Sequence, residues 1–316
     1  MTGIRPAALL RRTEQARKDE RMKRIVCLFA ALALLFAFAA SASPVKQLSK
    51  GAKPSFGADA DLLYLCFFDT MASDAILIRQ GGKTMLVDCA DTNYGSNVIA
   101  PKLRELGIER IDYAVNTHPH DDHINGFISL FDEVEVGAFY TFFPLDFCAE
   151  QIACVKAARE HGIEVVRFDS SADLSFGDLK IWVWQDARFA DKGPAACNAF
   201  SLVMHITYQN SAVLLSADAP KDCFVDLAKE KGAQIDADII KMPHHGHGQP
   251  TYAAWQLISP ELAVITNSTA NRISATIQFL HNNRCPYLLT GNGYVEAFTD
   301  GKTWQVVQFD KWNRNK

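Results

Sequence analysis

No GxSxG elbow, no phosphate-binding P-loop and no Rossmann glycine fingerprint occurs in the 316 residues. Serine hydrolase, nucleotide triphosphatase and dehydrogenase readings therefore lose their usual support. None of the eight cysteines stands in a CxxC pair, which argues against a cysteine-held zinc site. Beyond residue 60 there is no low-complexity run and no repeat of solenoid period, so disordered and repeat architectures are set aside. The apolar run Ile25 to Ala40 is 16 residues long, short of the roughly 20 needed to span a bilayer. Cationic charge is also scarce after the N-terminus. The first 42 residues carry eight Lys or Arg against three Asp or Glu, which leaves −9 on the remainder when the whole chain is −4. So acidic a remainder is no bulk electrostatic match for nucleic acid.

The composition itself is that of a globular protein, 48% hydrophobic and 22% charged, and long enough to bury a sizeable core. Met22-Lys23-Arg24, the apolar run and Ala40-Ser41-Ala42 follow the order of a secretory signal peptide: basic, apolar, small-x-small. The expectation is export to the cell-envelope exterior or beyond, with an uncleaved N-terminal membrane anchor as the alternative. Residues 1–42 are read as an extension plus signal, with Met22 as an alternative start. Residues 43–58 (Pro44, Gly51, Pro54) are read as a linker and 59–316 as one folded domain. Export would permit disulfides. Cys66, Cys89, Cys148, Cys154, Cys197, Cys223 and Cys285 are nevertheless expected mostly as buried free thiols, because several lie in apolar strand-like runs.

Strands and helices alternate along this domain. Ala75–Arg79 and Lys83–Asp88 flank Gly81-Gly82, a hairpin signal. Ile111–Asn116 reads as a strand, Ile124–Phe131 and Cys148–His161 as helices, and Lys302–Phe309 as a final strand. The pattern predicts an α/β domain with more than one sheet and helices outside.

The densest chemistry is His118-Pro119-His120-Asp121-Asp122-His123, directly after an apolar strand. Three imidazoles and two carboxylates in six residues are costly to gather unless something binds them together, as a divalent cation does. Imidazole nitrogen with carboxylate oxygen suits Zn²⁺, Mn²⁺ or Fe²⁺. Two later strands also end in ligand-type residues, Leu214 to Asp218 and Ile239 to His247. Ligands at three strand ends are what a site along one sheet edge needs. Two cations about 3.5–4 Å apart, bridged by Asp218 and a hydroxide, would supply a nucleophile at neutral pH.

HxHxDH after a strand resembles the metallo-β-lactamase fold hydrolases. The chain is more closely similar to the metallo-hydrolase domain of the DNA-uptake competence channel proteins (ComEC type) and their secreted stand-alone relatives. The resemblance runs from about Asp61 to Val307 and includes Asp74 to Ile78, Gly81 to Asp88, His118 to Gly126, Asn198 to Val203, Ser216 to Asp218 and Lys241 to Gly246. It implies a four-layer αββα sandwich. It implies that His118 and His120 hold one metal and that Asp122 and His123 hold a second. Asp218 would bridge, Asp88 would orient the metal loop, and one histidine of the pair His244-His245 would complete the second site. His245 is the favoured ligand, which leaves His244 as a proton donor or phosphate contact; the swap stays open. Asp122 and His244 are the residues expected to take part in the chemistry. Many relatives of the wider fold carry a further histidine between the metal loop and the bridging Asp. Here only His161 and His205 lie in that interval, neither at a strand end. Asn198 or water would stand in for it, and Asn267 and Arg272 are candidates for a substrate rim.

The function so implied is a secreted dinuclear hydrolase of phosphodiester bonds, of nuclease type, with two divalent ions, Zn²⁺ first and Mn²⁺ second. Its partner would be a phosphodiester or another small hydrolysable substrate, and no obligate protein partner is evident. The alternatives are a metal-dependent hydrolase of a lactone, thioester or other carbonyl substrate, and a non-catalytic metal-holding envelope protein.

Overall fold

A computed structural model describes residues 44–58, 60–168, 174–186 and 193–311. The expected signal segment lies outside the described residues. Among the described residues no helix is long and apolar enough to cross a membrane.

Two sheets form the centre. The larger has nine strands: β1 (Val45–Gln47), β2 (Leu63–Phe67), β3 (Ala75–Gln80), β4 (Lys83–Cys89), β5 (Arg110–Asn116), β6 (Glu135–Thr141), β7 (Glu164–Arg167), β14 (Val295–Thr299) and β15 (Trp304–Gln308), ordered β1-β15-β14-β2-β3-β4-β5-β6-β7. The smaller has six: β8 (Lys180–Trp184), β9 (Val203–Tyr208), β10 (Ser211–Leu215), β11 (Ile239–Lys241), β12 (Leu262–Ile265) and β13 (Tyr287–Leu289), ordered β13-β12-β11-β10-β9-β8. Among the described residues six α-helices accompany them: α1 (Ala100–Glu105), α2 (Asp121–Phe131), α3 (Ala149–Glu160), α4 (Lys221–Lys231), α5 (Tyr252–Ile258) and α6 (Ser274–Asn282).

The pattern of burial explains the layers. Strand residues alternate faces, and both faces of both sheets are apolar. Leu65, Phe67, Ile76 and Val87 of the large sheet meet Met204, Ile206, Val213 and Val264 of the small one in a shared core. On the outer face of the large sheet Cys66, Leu77, Leu86 and Ala114 pack against Leu103, Phe127, Leu130 and Val155 of α1, α2 and α3. On the outer face of the small sheet Leu214, Ile240 and Ala263 pack against Phe224, Trp255 and Leu280 of α4, α5 and α6. The order is therefore helix, sheet, sheet, helix. Each fully buried Phe or Leu contributes about 1.5–3 kcal/mol by leaving water. Hydrogen bonds tie the sheets at one side, from Trp304 Nε1 to Asp238 Oδ2 at 2.9 Å and between the hydroxyls of Ser211 and Thr299 at 2.7 Å.

Segment 43–58 departs from the linker expectation. Val45–Gln47 pairs in parallel with Trp304–Val306 and forms the edge of the large sheet. Its sequence, Val-Lys-Gln, is short and mostly exposed, so no apolar alternation marks it. All seven cysteines from Cys66 onward are free, and six are buried.

One edge of both sheets collects the chemistry. β4, β5, β10, β11 and β12 end there, and β3 begins there because it runs antiparallel to β4. The strand-end residues are Asp74, Asp88, Thr117-His118, Asp218, Lys241 with His244-His245, and Thr266-Asn267.

Candidate metal centre

The metal loop leaves β5 through Thr117 and enters α2 at Asp121. His120 is the extended residue before the helix, and Asp121 and Asp122 sit in its first turn, where the helix dipole favours negative charge. Gly126 fixes how α2 meets the sheet. A Cβ there would lie 1.8 Å from the carbonyl oxygen of Cys89, so only glycine lets the helix approach the end of β4. The Gly126 amide donates to the Ala90 carbonyl at 3.0 Å. His123 is thereby held over Asp88.

Asp88 is buried and accepts three groups of bonds. The Thr117 amide donates at 2.8 Å, the Thr117 hydroxyl at 2.6 Å and Asn116 Nδ2 at 3.1 Å, while His123 Nδ1 lies 2.7 Å from Oδ2. Such a contact fixes the ring and aims His123 Nε2 inward.

A second pair repeats this arrangement, and the sequence does not announce it. His245 Nδ1 lies 3.2 Å from Asp74 Oδ1. Asp74 also accepts from the Thr266 hydroxyl at 2.6 Å and forms an ion pair with the fully buried Lys241 ammonium. Lys241 donates to the Ala217 carbonyl at 2.9 Å and lies 3.8 Å from Asp218 Oδ1. One donor atom each from Asp74, His123, Asp218 and His245 lies within 4.8 Å of the others. Because both Asp74 oxygens already hold partners, Asp74 serves as the orienter of His245.

Asp218 is the hub. Its Oδ1 lies 3.3 Å from His123 Nε2 and 3.5 Å from His245 Nε2. Its Oδ2 lies 3.8 Å from His118 Nε2 and 3.7 Å from His244 Nε2. His118 Nε2 is 3.1 Å from His120 Nδ1. Asp122 Oδ2 is 3.1 Å from His245 Nε2, and its Oδ1 is 3.8 Å from His123 Nε2. His123 Nε2, His245 Nε2 and Asp218 Oδ1 are buried without any hydrogen-bond partner, although they face one another. An orphaned buried polar atom costs about 1–3 kcal/mol. Three at one point mark a place built for a ligand.

The electrostatics agree. Burial, aided by His123, holds the His118 imidazole well below its ordinary value, neutral as a ligand must be. Burial also opposes charge on His123 and His245, but carboxylates outweigh it. Asp218 and Asp88 push His123 well up, and Asp218 and Asp74 push His245 to about 10. Burial works against ionised Asp218, which the His245 and His123 imidazoles nevertheless hold well below the usual range. Asp122 meets the same opposition and sits at about 2, the facing His245 and His123 imidazoles prevailing. Without a cation, protons on two imidazoles balance the carboxylates. Divalent cations can take the place of those protons, so the donor set fits them.

The backbone is strained around the hub. Asp88, Ala90, Ala217, His244 and His245 all have φ between 43° and 58°, a left-handed region that costs non-glycine residues about 1–2 kcal/mol each.

The structure thus brings His118, His120, Asp122, His123, Asp218, His244, His245 and Asp88 together. It does not bring the rim candidates with them. Asn267 is fully buried, and its Nδ2 donates to the His245 carbonyl at 2.9 Å, so it braces the histidine loop from inside. Arg272 is exposed in a short 3-10 turn, and Asn198 is half-buried in another; neither bonds to the cluster. His205 lies away from it, its Nε2 2.8 Å from the Asp236 carbonyl and its ring stacked on Trp182. His161 Nδ1 lies 2.9 Å from the Ala157 carbonyl at the end of α3. Sequence reading missed Asp74, Lys241 and Thr266. The one available signal was a lone lysine inside the apolar run Ile239-Ile240-Lys241-Met242.

Comparison with known proteins agrees with the geometry. The family model described as Metallo-beta-lactamase superfamily matches residues 69–246. ComE operon protein 3 of Bacillus subtilis is 27% identical over 181 residues, 56% of this chain and 23% of that protein. Competence protein ComA of Neisseria gonorrhoeae is 21% identical over 219 residues, 66% of this chain and 27% of that protein. The chain therefore spans about a quarter of the length of these relatives. Among solved structures, the metallo-beta-lactamase fold protein YhfI of Bacillus subtilis superposes with a TM-score of 0.51 at 15% identity, covering 72% of this chain and 96% of that one.

Proposed function

Because the chain belongs to the metallo-β-lactamase superfamily, we propose that it is an exported hydrolase of phosphodiester bonds that works with two divalent cations, Zn²⁺ before Mn²⁺. The observation that carries this reading is the division of Asp218, whose two buried oxygens face different imidazoles. When bound, a pair of cations lowers the pKa of water and neutralises charge growing on phosphoryl oxygens, which suits in-line displacement. The matched relatives are competence proteins, and nuclease-type chemistry is what the resemblance to the competence-type metallo-hydrolase domain implies. The acidic remainder of the chain favours short phosphodiesters over long polyanions.

The protein's own groups have separable tasks. His118, His120, His123, His245 and Asp218 are the residues that would hold the cations. Asp88 and Asp74 fix the Nδ1 sides of His123 and His245, so each Nε2 points at the hub. Lys241 offsets buried negative charge and holds Asp74 and the Ala217 carbonyl in place. Asp122 is ionised at neutral pH and its side chain is 30% exposed, so a carboxylate oxygen is open to accept a hydrogen bond from water and orient it.

Hydrolysis of a bis-aryl phosphodiester by the chelator-stripped chain, with and without Zn²⁺ or Mn²⁺, tests the proposal. Cation-dependent turnover that disappears in His120→Ala is expected. Turnover of an aryl ester alone would move the reading to carbonyl substrates, and tight cation binding without turnover of either would remove the enzyme.

A further inference from the structure

Resting on the two-cation reading, we propose that His244 and His245 both bind metal, on opposite sides of Asp218, so that His244 is the third imidazole of the His118–His120 side. Each oxygen of a bridging carboxylate faces one cation. Asp218 Oδ1 faces His123 and His245, at 3.3 and 3.5 Å. Asp218 Oδ2 faces His118 and His244, at 3.8 and 3.7 Å. Sorting the donors by the oxygen they meet leaves His245 with His123 and Asp122, and His244 with His118 and its neighbour His120.

The local backbone supports this division. Two neighbouring residues in ordinary helical or extended conformation would not aim both rings at one carboxylate. Here both adopt left-handed backbone, at φ 51° and ψ 52° for His244 and φ 50° and ψ 29° for His245. Gly246 follows at φ 83°, where a Cβ would press Ile265 Cγ2 at 2.8 Å. The His244 amide donates to the Ala217 carbonyl at 3.0 Å, one residue before the hub. The two rings end 5.9 Å apart and 69° from parallel, one on each side of Asp218. The histidine that the interval before Asp218 lacks is thus replaced from the other side of the carboxylate. Neither His161 nor His205 can fill that place from where it stands.

The alternative task for His244 is proton donation to a leaving group, and cation stoichiometry separates the two. The stripped full chain is loaded with Co²⁺, dialysed, and read by elemental analysis and visible absorption. The wild type should hold two ions. His244→Ala and His120→Ala should each hold one tightly and lose at least tenfold in affinity for the other. The double variant His244→Ala/His120→Ala should still hold one, whereas His244→Ala/His245→Ala should hold none. Free imidazole should restore the lost absorption band of His244→Ala. His244→Asn, which tolerates the left-handed backbone, should repeat the loss with an unchanged melting temperature in the metal-free state. If His244→Ala and His244→Asn keep two ions at wild-type affinity while only turnover falls, His244 is a proton donor and the assignment is overturned. A wild type that holds fewer than two ions would instead sink the two-cation reading itself.

Discussion

Two buried charged clusters, one on the large sheet and one where strands of both sheets end, are finished differently. Beneath α1, Lys102 is paired with Glu296 at 3.2 Å and Glu105 at 3.1 Å, and it bonds Tyr294 at 3.3 Å. The Tyr64 hydroxyl donates to Glu296 at 2.9 Å. None of these side-chain atoms is among the buried ones left without a hydrogen-bond partner. At the strand-end edge His123 Nε2, His245 Nε2 and Asp218 Oδ1 are left without one. The same chain can close a buried polar network and closes one of the two. An incomplete network is costly, so the open one makes sense as a place where a cation completes it.

The largest effect should come from the hub. Asp218→Ala removes the carboxylate shared by both donor sets, and activity should fall about 10³-fold or more, with loss of both cations by elemental analysis. Retained cation content would show that the open cluster is not organised around Asp218. The closed cluster should respond in stability alone. Lys102→Met strands Glu296 without its cation and should cost about 3–5 kcal/mol in denaturant unfolding, with metal content unchanged.

Next come the orienting carboxylates. Asp74→Asn keeps the volume beside His245 but removes the charge, and cation affinity should weaken about 10–100-fold in chelator competition while the fold persists. Asp74 and Thr266 were invisible in the sequence for a physical reason. Thr266 and Asp74 are 192 residues apart along the chain, and nothing local marks either as paired. The metal loop was legible because its ligands are consecutive and follow a strand. Most strands and helices were legible from their period. The edge strand Val45–Gln47 was not, since its pairing with Trp304–Val306 is remote and its residues are mostly exposed. The opposed aim of His244 and His245 was also hidden, because it depends on left-handed backbone that sequence does not advertise for histidine.

The smallest effect is a pH dependence that only the open cluster should show. In the metal-free chain the folded state holds the His245 proton up to about 10, against an ordinary 6.5. A raised folded value adds stability that is complete below the unfolded value and disappears as pH climbs through the folded one. The metal-free protein should therefore lose stability between pH 6.5 and 10, by at least about 4 °C in melting temperature relative to His245→Gln. Cation affinity should rise over the same window, because the bound ion displaces that proton.

Anomalous diffraction at the metal absorption edge, from crystals grown with Zn²⁺, tests the central claim most directly. The account predicts two peaks about 3.5–4 Å apart, one against each oxygen of Asp218. A cluster without a peak, or a single peak against one oxygen only, would contradict it.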